Sequence, residues 1–335
     1  APGPIPYGEC NDGGDNDASS RFCPFLELIP SLDDSLSSAS GVAALDFNGD
    51  GRDDIIAGSA SGGALRFYAQ TDGAFGAGPS LGVSAAVRVL RAGPLFENAG
   101  SAADDDVLDL VVVNGSTGQV TAICNPVANT AATSAVLPTV VAGARDAAVV
   151  RVTAATHAVA YISPLAGTLH IAESAGARCT SLAFTSASLP MGAVSPTAVT
   201  GGRFLTRATE VEDIVVVTTT GSAYLFANAP AETGGFELVA TPVATGLTGA
   251  LGAAAGDFDG DGRIDFAVGT STGAHAVMNT NGTATGFAAD VIEGSPADVV
   301  SVYARDVNLD GRDDLITASS VEDSVDWWEL VDDTW

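Results

Sequence analysis

Lysine is absent from this chain of 335 residues: its 13 basic side chains are all arginine, against 41 aspartates and glutamates. Without lysine, neither Schiff-base chemistry nor the phosphate-binding lysine of a P-loop is available. The formal net charge of −28 also opposes binding to DNA, RNA or anionic membranes. The composition therefore excludes nucleic acid as a partner and several classes of enzyme.

Membrane-spanning runs and catalytic signatures are also missing. No apolar stretch is long enough to cross a bilayer, so we expect no direct membrane insertion. The three histidines, His157, His170 and His275, each lie in an apolar run, where we expect core residues. Neither an HExxH motif nor a paired-acid motif accompanies them. We therefore expect no catalytic residues and no enzymatic activity.

The four cysteines form no CxxC pair, which argues against a zinc site. Cys10 and Cys23 flank a polar loop, and Cys124 and Cys179 lie farther along the chain. We predict the disulfide bonds Cys10–Cys23 and Cys124–Cys179, as in an exported protein. The other two connectivities, and four reduced buried thiols, remain open alternatives.

Three segments align with one another without gaps, beginning at Asp46, Asp257 and Asp306. They read DFNGDGRDDIIAGSA, DFDGDGRIDFAVGTS and DVNLDGRDDLITASS. The last two start 49 residues apart and the first two 211 apart, which is four steps of about 53 residues. Three degenerate copies are therefore expected between the first segment and the second. Asp109 and Asp213 mark two of them, and the apolar run from His157 supplies the third.

Each copy predicts short antiparallel strands and no helix. In the first copy the apolar runs are Val42–Phe47, Ile55–Ser59 and Leu65–Ala69, separated by an acidic turn and a glycine turn. A fourth strand is expected to open with a phenylalanine, at Phe75, Phe184, Phe236 and Phe287 in four copies. Four such strands per repeat are typical of a propeller blade.

We therefore predict an all-β fold, a β-propeller of four-stranded antiparallel blades. Six blades are expected, starting near residues 41, 84, 144, 194, 249 and 297; seven is the alternative if the degenerate region hides another. The last copy stops after its third strand, and FLELIPSL from Phe25 resembles the fourth strand FELVATPV from Phe236. Residues 22–32 are thus predicted to complete the last blade of a single domain at 22–335, after a disulfide-linked extension at 1–21.

The acidic turns of the three regular segments carry side-chain oxygens at positions 1, 3, 5 and 9 and a glycine at position 6. Such a turn suits Ca²⁺, which takes about six to eight oxygen ligands, and a carbonyl at position 7 adds one more. We predict about three Ca²⁺ ions, one per turn. The expected ligands are Asp46, Asn48, Asp50, the Arg52 carbonyl and Asp54; Asp257, Asp259, Asp261, the Arg263 carbonyl and Asp265; and Asp306, Asn308, Asp310, the Arg312 carbonyl and Asp314.

An EF-hand begins with the same pattern but needs flanking helices and a glutamate at position 12. That position is occupied by Ala57, Val268 and Thr317, each inside an apolar run typical of a strand. The EF-hand is therefore excluded, and an Asp/Gly-rich turn without metal remains the alternative.

With these turns, the repeats resemble the FG-GAP and VCBS repeats of the β-propeller in integrin alpha subunits. The match is strong over the three regular segments and weak over the other copies. The resemblance implies calcium in the loop between the first two strands of a blade and an extracellular, secreted or cell-surface location. It also implies a role in binding or cell adhesion.

We expect a non-catalytic module that recognises an extracellular protein, matrix or glycan, alone or within a larger assembly. A lectin-type propeller is the alternative, and a polysaccharide-active enzyme is less favoured. Aromatic platforms for sugars are scarce, because all three tryptophans (Trp327, Trp328 and Trp335) lie near the end of the sequence. Strand alternation predicts that one of Trp327 and Trp328 is core and the other exposed. Asn114 and Asn281 head N-glycosylation sequons on predicted turns.

Overall fold

The structure of the protein, a computed structural model, describes most of the chain after residue 35. The described residues are 36, 38–47, 52, 54–71, 74–84, 86–93, 95, 109–124, 133–137, 143–153, 156–174, 184–191, 194–229, 235–239, 241–308, 310–322, 324–330 and 335. The extension at 1–21, the closing strand at 22–32 and the cysteines Cys10, Cys23 and Cys179 lie outside them. Those predictions therefore stay predictions; the fourth cysteine, Cys124, is fully buried.

The described residues form 23 strands in six antiparallel sheets. Sheet 1 contains β1 (Ala39–Leu45), β2 (Asp54–Ser59), β3 (Ala64–Thr71) and β4 (Ala74–Ser84). Sheet 2 contains β5 (Val87–Gly93), β6 (Asp109–Asn114), β7 (Val120–Cys124) and β8 (Thr133–Val136). Sheet 3 contains β9 (Asp146–Arg151), β10 (His157–Ser163), β11 (Thr168–Ser174) and β12 (Phe184–Pro190).

Sheet 4 contains β13 (Pro196–Gly202), β14 (Asp213–Thr218), β15 (Ala223–Ala229) and β16 (Gly235–Leu238). Sheet 5 contains β17 (Ala250–Gly256), β18 (Asp265–Thr270), β19 (Gly273–Asn279) and β20 (Phe287–Val291). Sheet 6 has three strands in the described part of the chain, β21 (Val299–Arg305), β22 (Asp314–Ser319) and β23 (Ser324–Trp328). No helix long and apolar enough to cross a membrane occurs among the described residues.

The strands of each sheet follow one another in sequence order, so every neighbouring pair is a hairpin. The prediction of an all-β fold with four-stranded antiparallel units is confirmed. The fourth strands begin at or beside the expected phenylalanines, and the first strands begin at residues 39, 87, 146, 196, 250 and 299. The arrangement is β-propeller-like.

Apolar cores lie between neighbouring sheets, which explains the near-continuous apolar runs of the second strands. Every residue of β10, β14 and β18 is buried. In β14, Ile214 and Val216 join the core shared with sheet 3, whereas Val215 and Val217 join the core shared with sheet 5. A strand that is covered on both faces has no solvent side on which polar residues would alternate.

The beginnings of the first strands line one central cavity of about 380 Å³, with residues from sheets 1, 2, 3, 5 and 6 on its wall. Each first strand then leads to the turn before the second strand. In five sheets that second strand begins with an aspartate opposite the last residue of the first strand: Leu45–Asp54, Gly93–Asp109, Gly202–Asp213, Gly256–Asp265 and Arg305–Asp314. The predicted acidic turns therefore lie at the ends of first strands whose beginnings surround the cavity.

Candidate metal centre

The turn from Asp257 to Asp265 joins β17 to β18 and is stabilised by hydrogen bonds from its main-chain N–H groups to its own carboxylates. The two carboxylate oxygens of Asp257 accept hydrogen bonds from the N–H groups of Asp261 (3.1 Å) and Gly262 (2.9 Å). Asp259 Oδ1 also accepts from Asp261 N–H, at 3.1 Å. Gly262 has a φ of 82°, in the left-handed region that glycine adopts without strain. These bonds bend the chain so that successive acidic side chains face one another.

Three of the four predicted side-chain ligands converge in this turn. One carboxylate oxygen from each of Asp257, Asp259 and Asp265 lies within 4.8 Å of the other two. Oxygens bound to Ca²⁺ at about 2.3–2.6 Å are separated by at most about twice that distance, so this spacing fits a calcium ion. Asp261 does not join the group: its Oδ1 accepts from the Arg263 N–H at 2.8 Å, and its Oδ2 pairs with the Arg263 guanidinium.

The electrostatics of the turn also suit a cation. Burial raises the pKa of Asp265 to about 7. The negative charges of Asp259 and Asp257 raise this pKa further, whereas two hydrogen bonds from main-chain N–H groups lower it. Burial likewise raises the pKa of Asp257, with smaller contributions from Asp259 and Asp313. A bound divalent cation would favour the ionised form of every one of these carboxylates.

The turn from Asp306 to Asp314 in sheet 6 repeats the same hydrogen bonds. The carboxylate oxygens of Asp306 accept from the N–H groups of Asp310 (3.1 Å) and Gly311 (3.0 Å), and Asn308 Oδ1 accepts from Asp310 N–H (3.0 Å). Asp310 Oδ1 accepts from Arg312 N–H at 2.9 Å. Two turns of different sequence thus form the same main-chain hydrogen bonds to the side chains at positions 1, 3 and 5.

The two turns also contact each other. The N–H of Asp257 donates to Asp313 Oδ2 at 3.0 Å, and the N–H of Asp313 donates to the carbonyl of Asp257 at 2.8 Å. In sheet 1, Asp46 is half-buried and Arg52 is exposed, whereas Asn48 and Asp50 lie outside the described residues. The turn in sheet 1 is thus only partly described, and calcium binding stays a prediction for all three turns.

The aspartate at the start of the second strand has a structural role that the sequence pattern did not reveal. Asp265 Oδ2 accepts from Phe258 N–H at 3.0 Å, and Oδ1 accepts from Asn279 N–H, at the end of the third strand, at 2.7 Å. Asp54 makes the same two kinds of bond, with Phe47 N–H (3.2 Å) and Gln70 N–H (2.9 Å). The signal was present in the sequence, because this aspartate recurs in copies that have lost the rest of the calcium pattern.

Sheet 4 shows how such an aspartate is used without the calcium pattern. Asp213 accepts from the N–H groups of Leu205 (3.0 Å) and Asn228 (2.8 Å), and Arg207 pairs with its Oδ1 at 2.7 Å. The Arg207 side chain is 17% exposed and that of Asp213 is fully buried. An arginine here supplies the positive charge that an ion would supply in a regular turn.

Comparison with known families matches these same turns. The FG-GAP-like repeat model matches residues 210–268 and 257–317, and the FG-GAP repeat model matches residues 38–78. The matched segments contain all three regular turns. The chain contains FG-GAP repeats. FG-GAP repeats are typical of extracellular and cell-surface proteins and suggest a recognition module.

Solved structures resemble the FG-GAP repeat protein in fold. BBS1N, in its complex with ARL6DN, superposes with a TM-score of 0.54 at 18% identity, covering 85% of this chain and 76% of that one. AofleA from Arthrobotrys oligospora gives 0.51 at 15% identity, covering 87% and 82%. A putative 6-phosphogluconolactonase from Bacteroides uniformis gives 0.56 at 13% identity, covering 88% and 81%. No curated protein sequence matches significantly.

The remaining candidate residues of the FG-GAP repeat protein lie in ordinary structural settings. Asn114 is the last residue of β6 and Asn281 lies in the loop after β19; the side-chain oxygen of Asn114 accepts two main-chain hydrogen bonds and that of Asn281 accepts one. His157 and His170 are buried in sheet 3, and His275 is half-buried in β19. The prediction that one of Trp327 and Trp328 is exposed is wrong: both are half-buried, and Trp328 Nε1 donates to Thr317 Oγ1 at 2.9 Å.

Proposed function

We propose that this FG-GAP repeat protein is a calcium-binding β-propeller that acts outside the cytoplasm as a non-catalytic recognition or structural module. The observation that carries the proposal is the convergence of Asp257, Asp259 and Asp265 within 4.8 Å in a turn whose hydrogen bonds recur at 306–314. An oxygen-only donor set at this spacing is what Ca²⁺ prefers.

Calcium in these turns would mainly stabilise the fold and would not serve a catalytic reaction. The turn at 257–265 is built from short carboxylates that already accept main-chain hydrogen bonds, and it connects two strands of one sheet. When bound, the ion would neutralise carboxylates that otherwise repel one another at the contact between sheets 5 and 6. We propose the same role at 46–54 and 306–314, with Asn308 in place of one carboxylate.

We further propose six blades, with the last completed by residues 22–32. Sheet 6 has only three strands among the described residues, whereas the other five sheets have four. A segment with the pattern of a fourth strand, FLELIPSL, is present in the sequence. A partner outside the cytoplasm, whether protein, matrix or glycan, would contact the loops that the sheets present at their two ends.

The test is a comparison of calcium content and melting temperature between the wild type and Asp259→Ala. Each occupied site adds about 2.7 kcal/mol when free Ca²⁺ is about 100 times its dissociation constant. We expect EGTA to lower the melting temperature by many degrees, and Asp259→Ala to bind one ion fewer and show a smaller calcium response. Asp290→Ala, on the exposed face of β20, is the matched control and should behave as wild type.

Identical melting curves in EGTA and Ca²⁺, with no metal found by elemental analysis, would reject the calcium proposal. A folded Asp259→Ala protein that loses a hydrolase, lyase or sugar-binding activity would instead reject the architectural role.

A further inference from the structure

The central cavity concentrates positive charge in a strongly acidic protein. Its wall contains Arg88, Arg91 and Arg145, three of the 13 arginines of the chain, and Asp146 is the single acidic residue among its described lining residues. The neighbouring first strands β5 and β9 bring these side chains together, although they are far apart in sequence.

The carboxylate of Asp146 is already paired. Asp146 Oδ1 accepts from Arg91 at 2.8 Å and from the Ala147 N–H at 2.9 Å, while its Oδ2 accepts from the Val199 N–H at 3.1 Å. Arg91 is further held by the carbonyl of Ala147, at 3.0 Å from its Nε. Asp146 and Arg91 therefore form a satisfied, neutral pair at the edge of the cavity.

Arg88 and Arg145 differ from Arg91 in this respect. Among the described residues, neither guanidinium forms an ion pair with a carboxylate. Burial lowers the pKa of Arg145, and the positive charge of Arg88 lowers it further, with only partial compensation from Asp146. Two like charges are thus kept close together in a concave site, an arrangement that folding alone does not favour.

The part of the cavity wall that sheets 1, 5 and 6 contribute contains aliphatic side chains besides Ser40 and Ser301. Val42 and Val300 line it and remain 63% and 43% exposed, next to Leu251. A cavity of about 380 Å³ is within the size range of small-molecule sites, which combine an apolar lining with a few charged groups. The site therefore offers arginines to an anion and aliphatic side chains to an apolar group.

We infer that the central cavity binds a small amphipathic carboxylate, whose head group lies between Arg88 and Arg145 and whose apolar body contacts Val42, Leu251 and Val300. The planar guanidinium matches the two oxygens of a carboxylate. The nearby Asp146 makes a monoanion a better fit than a phosphate dianion. The site is separate from the acidic turns, which follow the other ends of the first strands.

Calorimetric titration with 3-phenylpropanoate, 3-phenylpropan-1-ol and phenyl phosphate tests the inference, with Ca²⁺ present throughout. The carboxylate should bind at least about tenfold more tightly than the alcohol, and its affinity should fall as salt is added. Arg145→Gln and Arg88→Gln should each weaken carboxylate binding about tenfold, although the Arg88 side chain is exposed. Neither should lower the melting temperature without ligand, because each removes one of two repelling charges.

Arg203→Gln is the matched control, because Arg203 is exposed and lies outside the cavity; it should bind the carboxylate as the wild type does. No binding of the carboxylate to the wild type, equal binding of the alcohol, or tighter binding of phenyl phosphate would each overturn the inference. So would wild-type affinity in both cavity variants. None of these results bears on the calcium turns, so the two proposals fail separately.

Discussion

The buried aspartate at the start of the second strand has a structural role besides its predicted role as a calcium ligand. The turn pattern predicts Asp54, Asp265 and Asp314 as calcium ligands because they occupy position 9 of the turn. The structure adds that Asp54 and Asp265 also accept main-chain hydrogen bonds from two other strands or turns. A pattern of acidic residues identifies a carboxylate, but it does not reveal which donors that carboxylate meets after folding.

Arg207→Gln tests the arginine that pairs with the buried Asp213 in sheet 4. Removing one partner of a buried ion pair leaves the other charge uncompensated, so we expect a loss of about 3 kcal/mol in the free energy of unfolding. Urea denaturation measures the loss. Arg203→Gln, which breaks an exposed pair with Glu210 at 3.5 Å, should cost less than about 1 kcal/mol. Equal effects of the two substitutions would contradict this account of sheet 4.

Glu212→Gln tests the pH dependence of the same sheet. Glu212 Oε2 accepts from the Arg151 N–H at 2.8 Å. Burial raises the pKa of Glu212 above its ordinary 4.5, although Arg151 and Arg203 act in the opposite direction. A carboxyl group with a raised folded-state pKa stabilises the fold below its unfolded pKa and loses that contribution as pH rises through the folded pKa.

Glu212→Gln should therefore melt at a higher temperature than wild type at pH 8 and at the same temperature near pH 4. Glu210→Gln removes an exposed carboxylate two residues away and should show no such divergence. Parallel melting curves for wild type and Glu212→Gln across the whole pH range would exclude this role of the buried charge.

At the scale of the element, one glycine in the repeat allows neighbouring sheets to approach. Gly269 in β18 faces β21, and a Cβ at this position would lie 2.5 Å from the Val299 carbonyl oxygen. Gly58, at the same position of the first repeat, faces Val87 of β5 in the same way, at 2.5 Å from Cγ2. The recurring glycine therefore belongs to the packing between one sheet and the next.

Gly269→Ala should destabilise the protein by about 2 kcal/mol, because the added methyl group meets main-chain atoms that cannot move aside cheaply. Thermal or urea denaturation measures the effect. Gly76→Ala is the control, since a Cβ there meets no atom within 4 Å. A wild-type melting temperature for Gly269→Ala would show that the two sheets can separate without cost.

Strands were predictable because apolar runs bounded by acidic or glycine turns give a local signal. The positions of Phe184 and Phe287 at the starts of β12 and β20 follow from that signal. The orientation of Asp261 towards Arg263 does not follow from that signal, because several side-chain rotamers of Asp261 are compatible with the sequence pattern. The cationic cavity could not be predicted from the sequence either, because Arg88 and Arg145 come together only when separate sheets pack around it.

At the scale of the whole molecule, sheet 6 is the place where the ring is expected to close. Deleting residues 1–32 should leave β23 as an uncovered edge strand, with Val325 already 63% exposed, and should cause aggregation or loss of the fold. Size-exclusion chromatography and thermal melting of the truncated protein measure this. A monomer with an unchanged melting transition would show that these residues do not complete a blade and would reopen the blade count.

The pair of hydrogen bonds between Asp257 and Asp313 links two turns that belong to different sheets. If an ion binds in one of these turns, it fixes a main-chain segment that the other turn uses as a donor and an acceptor. Occupancy of the two sites is then cooperative, and by thermodynamic reciprocity each ion changes the affinity for the other by the same factor. Sheets 5 and 6 would respond to calcium as one unit, over a narrower range of concentration than two independent sites.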